Sequence, residues 1–512
     1  MTARYFDVVV LGRSLGALSA AALLARRDFR VLLLGQGQRP PSYEYERFRL
    51  KRRAFTLLFG SSPVWVRLLH ELAQSQRFRR MVSPLDPMFV MSSGGRHIEV
   101  PPDMELFVRE IDREFPEVRQ LVDELYATIA PVNAAVDAVF EKDAVWPPGT
   151  LWERIETRRS GSTLPLTRGA ESDLLAKFPV GHPYREIVTL PPQFATGLFA
   201  SGDYLPPLAL ARLHGSWTRG IQCLEGGEDE LEEFLLERIE AHGGECRLSH
   251  RAASLVVRLG KIAGVLEEGE EEVTGTDSVV TDLSGEAVAD LSGGEGISPG
   301  ARRDWPRLTA SAGRLVVSLV VKKRALPDPL GAEAFLTGRA GARPDPRHPS
   351  VHLQRMDGPD DEATLVAETV LPVRGPLTVL EAREAVLTTL REHLPFLDQH
   401  VLVVDSPHDG LPLLDKTRGT AREMDRIHLS GTTAGAEPMQ WLWSVEPAGY
   451  LDLGGEPIRG PVPGSYLVGS TVLPALGQEG QLLAAWGAAR IITQKDKGRQ
   501  KMRRQMWTKI ET

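Results

Sequence analysis

The segment from residue 7 to residue 20 constrains the fold of this chain most, because it has the pattern of a buried strand, a glycine turn and a helix. The apolar run Val8-Val9-Val10-Leu11 ends at Gly12, a residue that suits a tight turn. Gly16 and Ala17 then open an alanine-rich stretch that is typical of a closely packed helix. Such a helix directs its first amide groups and its positive dipole end at a phosphate. The segment therefore predicts a doubly wound α/β unit with a dinucleotide-type turn.

Two positions of this unit depart from the pattern that dinucleotide binding favours. Ser14 stands where a second glycine normally leaves the backbone bare for the phosphates. The second strand, Arg30 to Leu34, is followed by Gly35 where an Asp or Glu would reach the ribose hydroxyls. Two interpretations stay open: a dinucleotide site with fewer contacts, and a doubly wound domain that keeps the fold without the ligand.

Length and composition narrow the class of protein. At roughly 150 residues per domain, 512 residues allow two to four domains. A net charge of −8 lacks the basic excess that nucleic-acid binding favours, so we expect no nucleic-acid partner. Cys223 and Cys246 are too few for a disulfide framework and lack metal-ligand spacing, which predicts a reducing compartment and no metal site. No apolar run reaches the roughly 18 residues of a membrane span, and we expect a cytoplasmic protein.

A charged segment follows the first unit. The run from Tyr43 to Arg53 ends in the basic cluster Leu50-Lys51-Arg52-Arg53. This cluster can clamp a phosphate, but a charge run of this kind is more often a solvated helix face, and we favour that interpretation. Beyond it, apolar spacings of three and four predict helices between Pro63 and Phe140, with a hairpin at residues 89–100.

The rest of the chain alternates between strand and helix patterns. Gly226-Gly227 precedes a helical pattern, and a hairpin of strands 253–258 and 261–266 and a short strand at 278–281 follow. Strand patterns at 315–321 and 401–404, with a helix at 379–394, predict a mixed sheet with one covering helix. Near the end, a strand at 464–470 runs into a turn, and a small-residue helix occupies 480–490.

The order of these units resembles the phytoene desaturase and carotenoid dehydrogenase branch of the flavin-dependent amine oxidoreductase superfamily. The resemblance extends from about Tyr5 to Ile492. It implies an α/β fold in which a Rossmann-like domain for FAD or NAD(P) is assembled from three separated segments. These are residues 1–60, 215–300 and 425–495; an α+β substrate domain takes 61–214 and 301–424, and a basic tail takes 496–512.

The resemblance also implies site residues and a chemistry. Gly12, Gly16 and Ala17 match the pyrophosphate turn, Val256 the backbone contact to the adenine side, and Gly469 the late turn near the ribityl chain. FAD is the implied cofactor, and it would take hydride from a hydrophobic polyene, lipid or amine-like substrate. No catalytic side chain is identified.

The departures from the family's pattern fall on positions that face the ligand. The family has a glycine at Ser14, an acidic residue at Gly35, an Asp at Ser470, and a glycine-rich flavin loop where this chain has Ser42 to Arg53. Each lost polar contact costs about 1 to 3 kcal/mol, so three together can remove a micromolar affinity. Two functions therefore remain open: an FAD-dependent oxidoreductase, and a cofactor-free descendant that serves as a scaffold or partner-binding protein.

Three further patterns each allow two interpretations. The isolated histidines at 97, 182, 214 and 428 are more typical of surface or core positions than of catalysis. The stripe from Met439 to Trp443 suits plain core or an apolar tunnel. The basic residues from Lys495 to Lys509 suit a solvated tail, attachment to the inner face of an anionic membrane, or an acidic protein partner.

Overall fold

The chain contains runs of several helices and runs of several strands, as well as single strands that alternate with helices. The computed structural model describes residues 4–93, 95–161, 164, 166, 174–199, 205–338, 345–433 and 435–510. The strands are β1 (Tyr5–Phe6), β2 (Val8–Leu11), β3 (Val31–Leu34), β4 (Ser42–Tyr45), β5 (Phe48–Lys51), β6 (Val82–Pro84), β7 (Phe89–Ser93), β8 (Arg96–Val100), β9 (Gln222–Leu224), β10 (Glu245–Arg247), β11 (Ala252–Arg258), β12 (Lys261–Glu267), β13 (Val273–Thr276), β14 (Val279–Thr281), β15 (Arg307–Lys322), β16 (Glu333–Leu336), β17 (Val351–Asp357), β18 (Glu362–Pro372), β19 (Val401–Asp405), β20 (Leu413–Asp415), β21 (Arg422–Met424), β22 (Gln440–Glu446) and β23 (Ser465–Leu467). The helices are α1 (Leu15–Arg26), α2 (Pro63–Glu71), α3 (Ser75–Met81), α4 (Met104–Glu114), α5 (Arg119–Phe140), α6 (Leu151–Gly161), α7 (Tyr184–Ala195), α8 (Pro207–Thr218), α9 (Glu228–Ala241), α10 (Gly285–Leu291), α11 (Pro299–Asp304), α12 (Val379–His393), α13 (Leu397–His400) and α14 (Gly477–Ile510).

A parallel sheet of five strands, in the order β10-β3-β2-β14-β23, forms the core beside α1. Strands β2 and β3 are fully buried apolar runs, as expected for parallel strands covered on both faces. Helix α1 is buried from Gly16 to Ala25 and packs against α9 and α14. Its small side chains permit this close approach. The predicted α/β fold with a Rossmann-like unit is confirmed.

A second, four-stranded sheet has the order β1-β13-β12-β11. The predicted hairpin is confirmed: β11 and β12 pair antiparallel around Leu259 and Gly260. Both turn residues have a positive φ, which the glycine accommodates without strain.

The third sheet has ten strands and is built around β15, which is 16 residues long. Strand β15 pairs antiparallel with β18, β19 and β22. Strands β16 and β7 add a parallel pair, so the predicted mixed sheet is confirmed. Helix α12 packs against β15 and β18, as the sequence predicted for a covering helix.

The charged segment after Pro41 is a β-hairpin, so the predicted solvated helix face was wrong. Strands β4 and β5 pair antiparallel, and Tyr43, Tyr45 and Leu50 are buried against the ten-stranded sheet. Lys51 is also buried, and its main-chain amide and carbonyl both bond to the Ser318 hydroxyl of β15. Lys51 and Arg52, at the end of the segment, are buried in ion pairs, whereas Arg47 and Arg49 on the hairpin remain exposed.

The last helix, α14, has 34 residues and extends to Ile510, so the basic segment continues a helix of the domain. Its first half is buried against α1, with Leu482, Ala485 and Ala489 among the core residues. Of the helices in the described part of the chain, none has both the length and the apolar character that crossing a bilayer needs.

Candidate functional site

The first turn of α1 is closed by a carboxylate from elsewhere in the chain. Gly12 has a φ of +120°, and an ideal Cβ at this position would lie 2.0 Å from Oδ1 of Asp282. Only glycine therefore fits between the end of β2 and Asp282. Ser14 is the N-cap of α1, and its hydroxyl accepts the Ala17 amide at 3.3 Å.

Asp282 lies directly after β14, at the carboxyl edge of the parallel sheet. Its Oδ2 accepts the Ser14 amide at 2.9 Å, and its Oδ1 accepts Nε2 of Gln38 at 2.7 Å. Burial raises the pKa of Asp282, although these hydrogen bonds act to lower it. The carboxylate thus accepts the Ser14 amide and lies at the positive end of the helix dipole, the two features that would otherwise bind a phosphate.

Other side chains take further amides of the same turn. Oε1 of Gln38 accepts the Arg13 amide at 2.8 Å, and Oε1 of Gln481 on α14 accepts the Gly16 amide at 3.3 Å. Together with Ser14 and Ala17, four amides between residues 13 and 17 therefore donate to side chains of this chain.

Backbone atoms fill the space beside Gly35, the position at which dinucleotide-binding folds carry an acidic residue for the ribose. An ideal Cβ at Gly35 would lie 1.9 Å from the carbonyl oxygen of Leu248. The next residue, Gln36, exchanges two side-chain hydrogen bonds with the backbone of Ala252, at 2.9 and 3.2 Å. Val256 lies farther along β11, opposite Gly264 in the four-stranded sheet.

The late turn packs on the same aspartate. An ideal Cβ at Gly469 would lie 2.2 Å from the backbone carbonyl oxygen of Asp282, and one at Gly16 would lie 1.9 Å from that of Val468. Ser470 follows and is partly buried. The structure thus brings the predicted residues of the first and last segments together around Asp282.

Sequence reasoning missed Asp282, Gln38 and Gln481. A signal for Asp282 was present, because a polar residue directly after a buried parallel strand lies at the edge where ligands bind. Gln38 and Gln481 gave no comparable signal, since neither belongs to a motif.

The basic side chains near this turn are paired with acids of α9. Arg13 contacts Glu232 at 2.6 Å, and Lys51 contacts Asp229 at 2.6 Å. Burial acts to raise the pKa of Asp229, but Lys51 holds it below its ordinary value.

Two more arginines are engaged in the same way. Arg53 contacts Glu228 at 2.5 Å, and Arg52 contacts Glu437 at 2.6 Å. The basic cluster at residues 51–53 is therefore neutralised within the protein, which argues against its predicted alternative role as a phosphate clamp.

These residues do not fit the diphosphate of FAD. A phosphate at the turn would lie beside the Asp282 carboxylate, and two like charges 4 Å apart cost about 4 kcal/mol at a partly buried site. The amides that would bind the phosphate already have acceptors, and Gly35 offers no acid to the ribose. The β4–β5 hairpin occupies the segment where the family has its glycine-rich loop.

A separate cavity of about 820 Å³ lies between α7, the ends of β16 and β18, and the start of α12. Its volume falls in the range of sites for small organic ligands. Much of its wall is apolar, formed by Leu190, Phe194, Leu198, Phe199, Leu205, Val370, Leu371, Leu377 and Leu442. Polar groups on the wall include Glu186, Gln193, Thr337, Asp345 and His348. None of the described residues 10–17 lines it.

The stripe from Met439 to Trp443 divides between the two predicted roles. Leu442 lines the cavity, whereas Met439 packs into the core, with atoms 2.8 to 3.0 Å from an ideal Cβ at Gly313. The four isolated histidines are dispersed, and none of them lines the cavity. His214 is a core residue whose Nε2 lies 2.9 Å from the Tyr126 hydroxyl.

Comparison with known proteins shows the fold. A family model described as an NAD(P)-binding Rossmann-like domain matches residues 10–72. No curated protein matches the chain. Among solved structures, an oxidoreductase from Methanosarcina mazei is 17% identical, with a TM-score of 0.55 over 92% of this chain and 98% of its own.

Two other solved structures are similar to the same extent. A redesigned triple mutant of putrescine oxidase is 14% identical, with a TM-score of 0.58 over 96% of this chain and 99% of its own. A protein from Pyrococcus furiosus is also 14% identical, with a TM-score of 0.54 over 95% and 97% of the two chains. At these identities the likeness establishes a shared architecture over nearly the whole chain.

Proposed function

We propose that this chain is a cofactor-free descendant of the flavin oxidoreductase fold that binds an apolar small molecule or lipid in the cavity beside α7. The observation that carries the apolar ligand is the cavity itself, and the filled turn at α1 supports the absence of the cofactor. The cavity's 820 Å³ and its mainly apolar wall suit such a ligand, and its lining includes no residue of the filled turn at α1.

The wall of the cavity favours an apolar ligand that also carries a polar group. Leu190 and Phe194 come from one face of α7, and Leu371 and Leu442 come from the sheet. Burying the ligand against them contributes about 25 cal/mol for each Å² of apolar surface removed from water. The polar groups, Glu186 among them, offer hydrogen bonds that fix its orientation.

The hydrogen bonds within the first turn of α1 support a function that needs no bound dinucleotide. Ser14 donates its amide to Asp282, and Gln38 bonds to both Asp282 and the Arg13 amide. A dinucleotide would have to displace these contacts before making its own. The ion pairs between residues 13, 51 and 53 and α9 neutralise the basic groups that a diphosphate would otherwise attract.

A second candidate is an FAD-dependent dehydrogenase or desaturase that acts on a hydrophobic substrate by hydride transfer to flavin. The match of residues 10–72 to an NAD(P)-binding domain and the similarity to an oxidoreductase fold favour it. In that case the cavity beside α7 would hold the substrate.

One experiment separates the two candidates. The visible absorption spectrum of the freshly purified full-length protein is recorded before and after incubation with excess FAD and removal of unbound flavin. We expect no flavin absorption in either spectrum, and a retained flavin spectrum would overturn the cofactor-free proposal and favour the second candidate.

The apolar ligand is tested on the same preparation. Titration with an uncharged, solvatochromic hydrophobic dye should give saturable fluorescence with one site per chain. Binding that does not saturate, or that is not competed by a second apolar molecule such as a long-chain alcohol, would contradict the assignment of the cavity.

A further inference from the structure

Three groups converge on the N-terminus of α1 in the place where the fold receives a phosphate. They are the carboxylate of Asp282, the carboxamide of Gln38 and the carboxamide of Gln481. They come from the residue after β14, from the segment after β3 and from α14, so each of the three proposed parts of the domain contributes one.

We propose that Asp282 is an internal replacement for a cofactor diphosphate, and that it keeps a latent anion site at the first turn of α1 permanently filled. The Ser14 amide bonds to its Oδ2 at 2.9 Å, which is the charge-assisted bond that a phosphate oxygen would receive. Gln38 bonds to its Oδ1 at 2.7 Å and so holds the carboxylate in the turn.

Close backbone contacts restrict the position of Asp282. Gly12 has no side chain because a Cβ there would meet the carboxylate, and Gly469 has none because a Cβ there would meet the Asp282 carbonyl. The space left by the missing side chains at these two glycines is occupied by Asp282 and not by a ligand. The replacement is therefore built into the packing of the first and last segments of the domain.

Loss of the Asp282 side chain would leave a site that recognises few features of a nucleotide. Gly35 is in backbone contact with Leu248, so no side chain can reach a ribose from that position. An anion admitted by loss of Asp282 would be held by the freed Ser14 amide and by Nε2 of Gln38, because the Arg13 and Gly16 amides keep their glutamine acceptors. Inorganic pyrophosphate and the diphosphate of ADP should therefore bind equally, and adenosine should not bind.

The test replaces the carboxylate by a smaller neutral group. The full-length Asp282→Ser variant is compared with wild type and with Asp290→Ser, a matched change of an exposed aspartate on α10. Melting temperature is measured with pyrophosphate and with sodium chloride at equal ionic strength, and ADP and adenosine are titrated by calorimetry.

We expect Asp282→Ser to melt at a lower temperature than wild type and to recover specifically with pyrophosphate. Calorimetry should detect saturable binding of pyrophosphate and of ADP to this variant and no binding of either to wild type, because the substitution removes the like-charge repulsion and frees the Ser14 amide. Wild type and Asp290→Ser should show no shift beyond that of sodium chloride. Pyrophosphate binding by wild type, or none by a folded Asp282→Ser variant, would overturn the proposal.

A second variant decides the matter if Asp282→Ser does not fold. Asp282→Asn keeps the shape of the side chain and removes its charge. In wild type, the amide resonance of Ser14 should shift with pH as Asp282 titrates, and the shift should be absent from Asp282→Asn. An identical pH response of Ser14 in both proteins would show that the carboxylate does not hold this amide.

Discussion

The end of β3 meets the segment after β10 backbone to backbone: an ideal Cβ at Gly35 lies 1.9 Å from the Leu248 carbonyl oxygen. The Gly35 amide also donates to the carbonyl of Arg247 at 3.3 Å. A side chain at residue 35 would separate these two segments. Glycine is therefore required here by packing.

Gly35→Ala should be strongly destabilising. The added methyl meets backbone that cannot rotate away, and we expect a loss of about 3 kcal/mol in the free energy of unfolding, the upper end of the usual cost of overpacking. Urea denaturation measures this value. The matched control is Gly300→Ala, where an ideal Cβ meets nothing within 4 Å. Because Gly300 lies in α11, the control should be neutral or gain up to about 1 kcal/mol. Equal stability of the two variants would contradict the close contact.

The Asp405→Ala variant should lose more of the free energy of unfolding than a variant that breaks an exposed ion pair. The Asp405 carboxylate accepts Nη1 of Arg426 at 2.6 Å and the Tyr43 hydroxyl at 2.5 Å, and the side chains of Asp405 and Arg426 are 0% and 1% exposed. The variant leaves a buried guanidinium without its main partner, which costs about 3 to 5 kcal/mol. The control, Asp304→Ala, breaks an exposed pair with Arg303 and should leave the urea midpoint unchanged.

The stability of the protein should decrease as the pH falls from about 6.5 to about 4, and His214 should account for part of this. Burial lowers the pKa of His214 from 6.5 to about 4, so the unfolded chain binds a proton in this range that the folded chain excludes. The stabilisation is fully present above pH 6.5 and is lost progressively below it. Its size is on the order of 3 kcal/mol.

The measurement is the unfolding free energy across that pH range for wild type and two variants. His214→Gln should flatten the profile, because glutamine accepts the Tyr126 hydrogen bond without titrating. The control His428→Gln, at an exposed position, should keep the wild-type slope. A wild-type slope in His214→Gln would assign the acid sensitivity to other groups.

Leu198→Trp should block the cavity beside α7. Leu198 lines it and is partly buried, so a larger ring at this position takes up the space of the ligand. We expect dye affinity to fall by at least about tenfold, since the lost apolar contact area corresponds to more than 1.4 kcal/mol. Leu106→Trp, an exposed change on α4, is the control and should bind dye like wild type. Unchanged binding in Leu198→Trp would place the dye elsewhere.

The local units of this fold were predictable because their signals lie within a few residues. The run Val8 to Leu11, the turn at Gly12 and the small residues of α1 are adjacent in sequence, and so are the two strands around Gly260. Periodicity is sufficient for units of this size. The contents of the turn were not predictable, because Asp282 and Gln481 reach it from 268 and 465 residues away.

The β4–β5 hairpin shows the same limit. A run of basic residues is typical of a solvated surface when its partners are unknown. Lys51 pairs with Asp229, and Arg52 pairs with Glu437, which is 385 residues distant. The alternation of Tyr43 and Tyr45 was the local sign of a strand, and the charges around it concealed that sign.

The filled turn also bears on how the protein matures. The Asp282 carboxylate accepts the Ser14 amide when the parallel sheet forms, so the first turn of α1 is completed without a bound flavin. On our proposal, the amount of folded protein in a cell is independent of that cell's riboflavin supply.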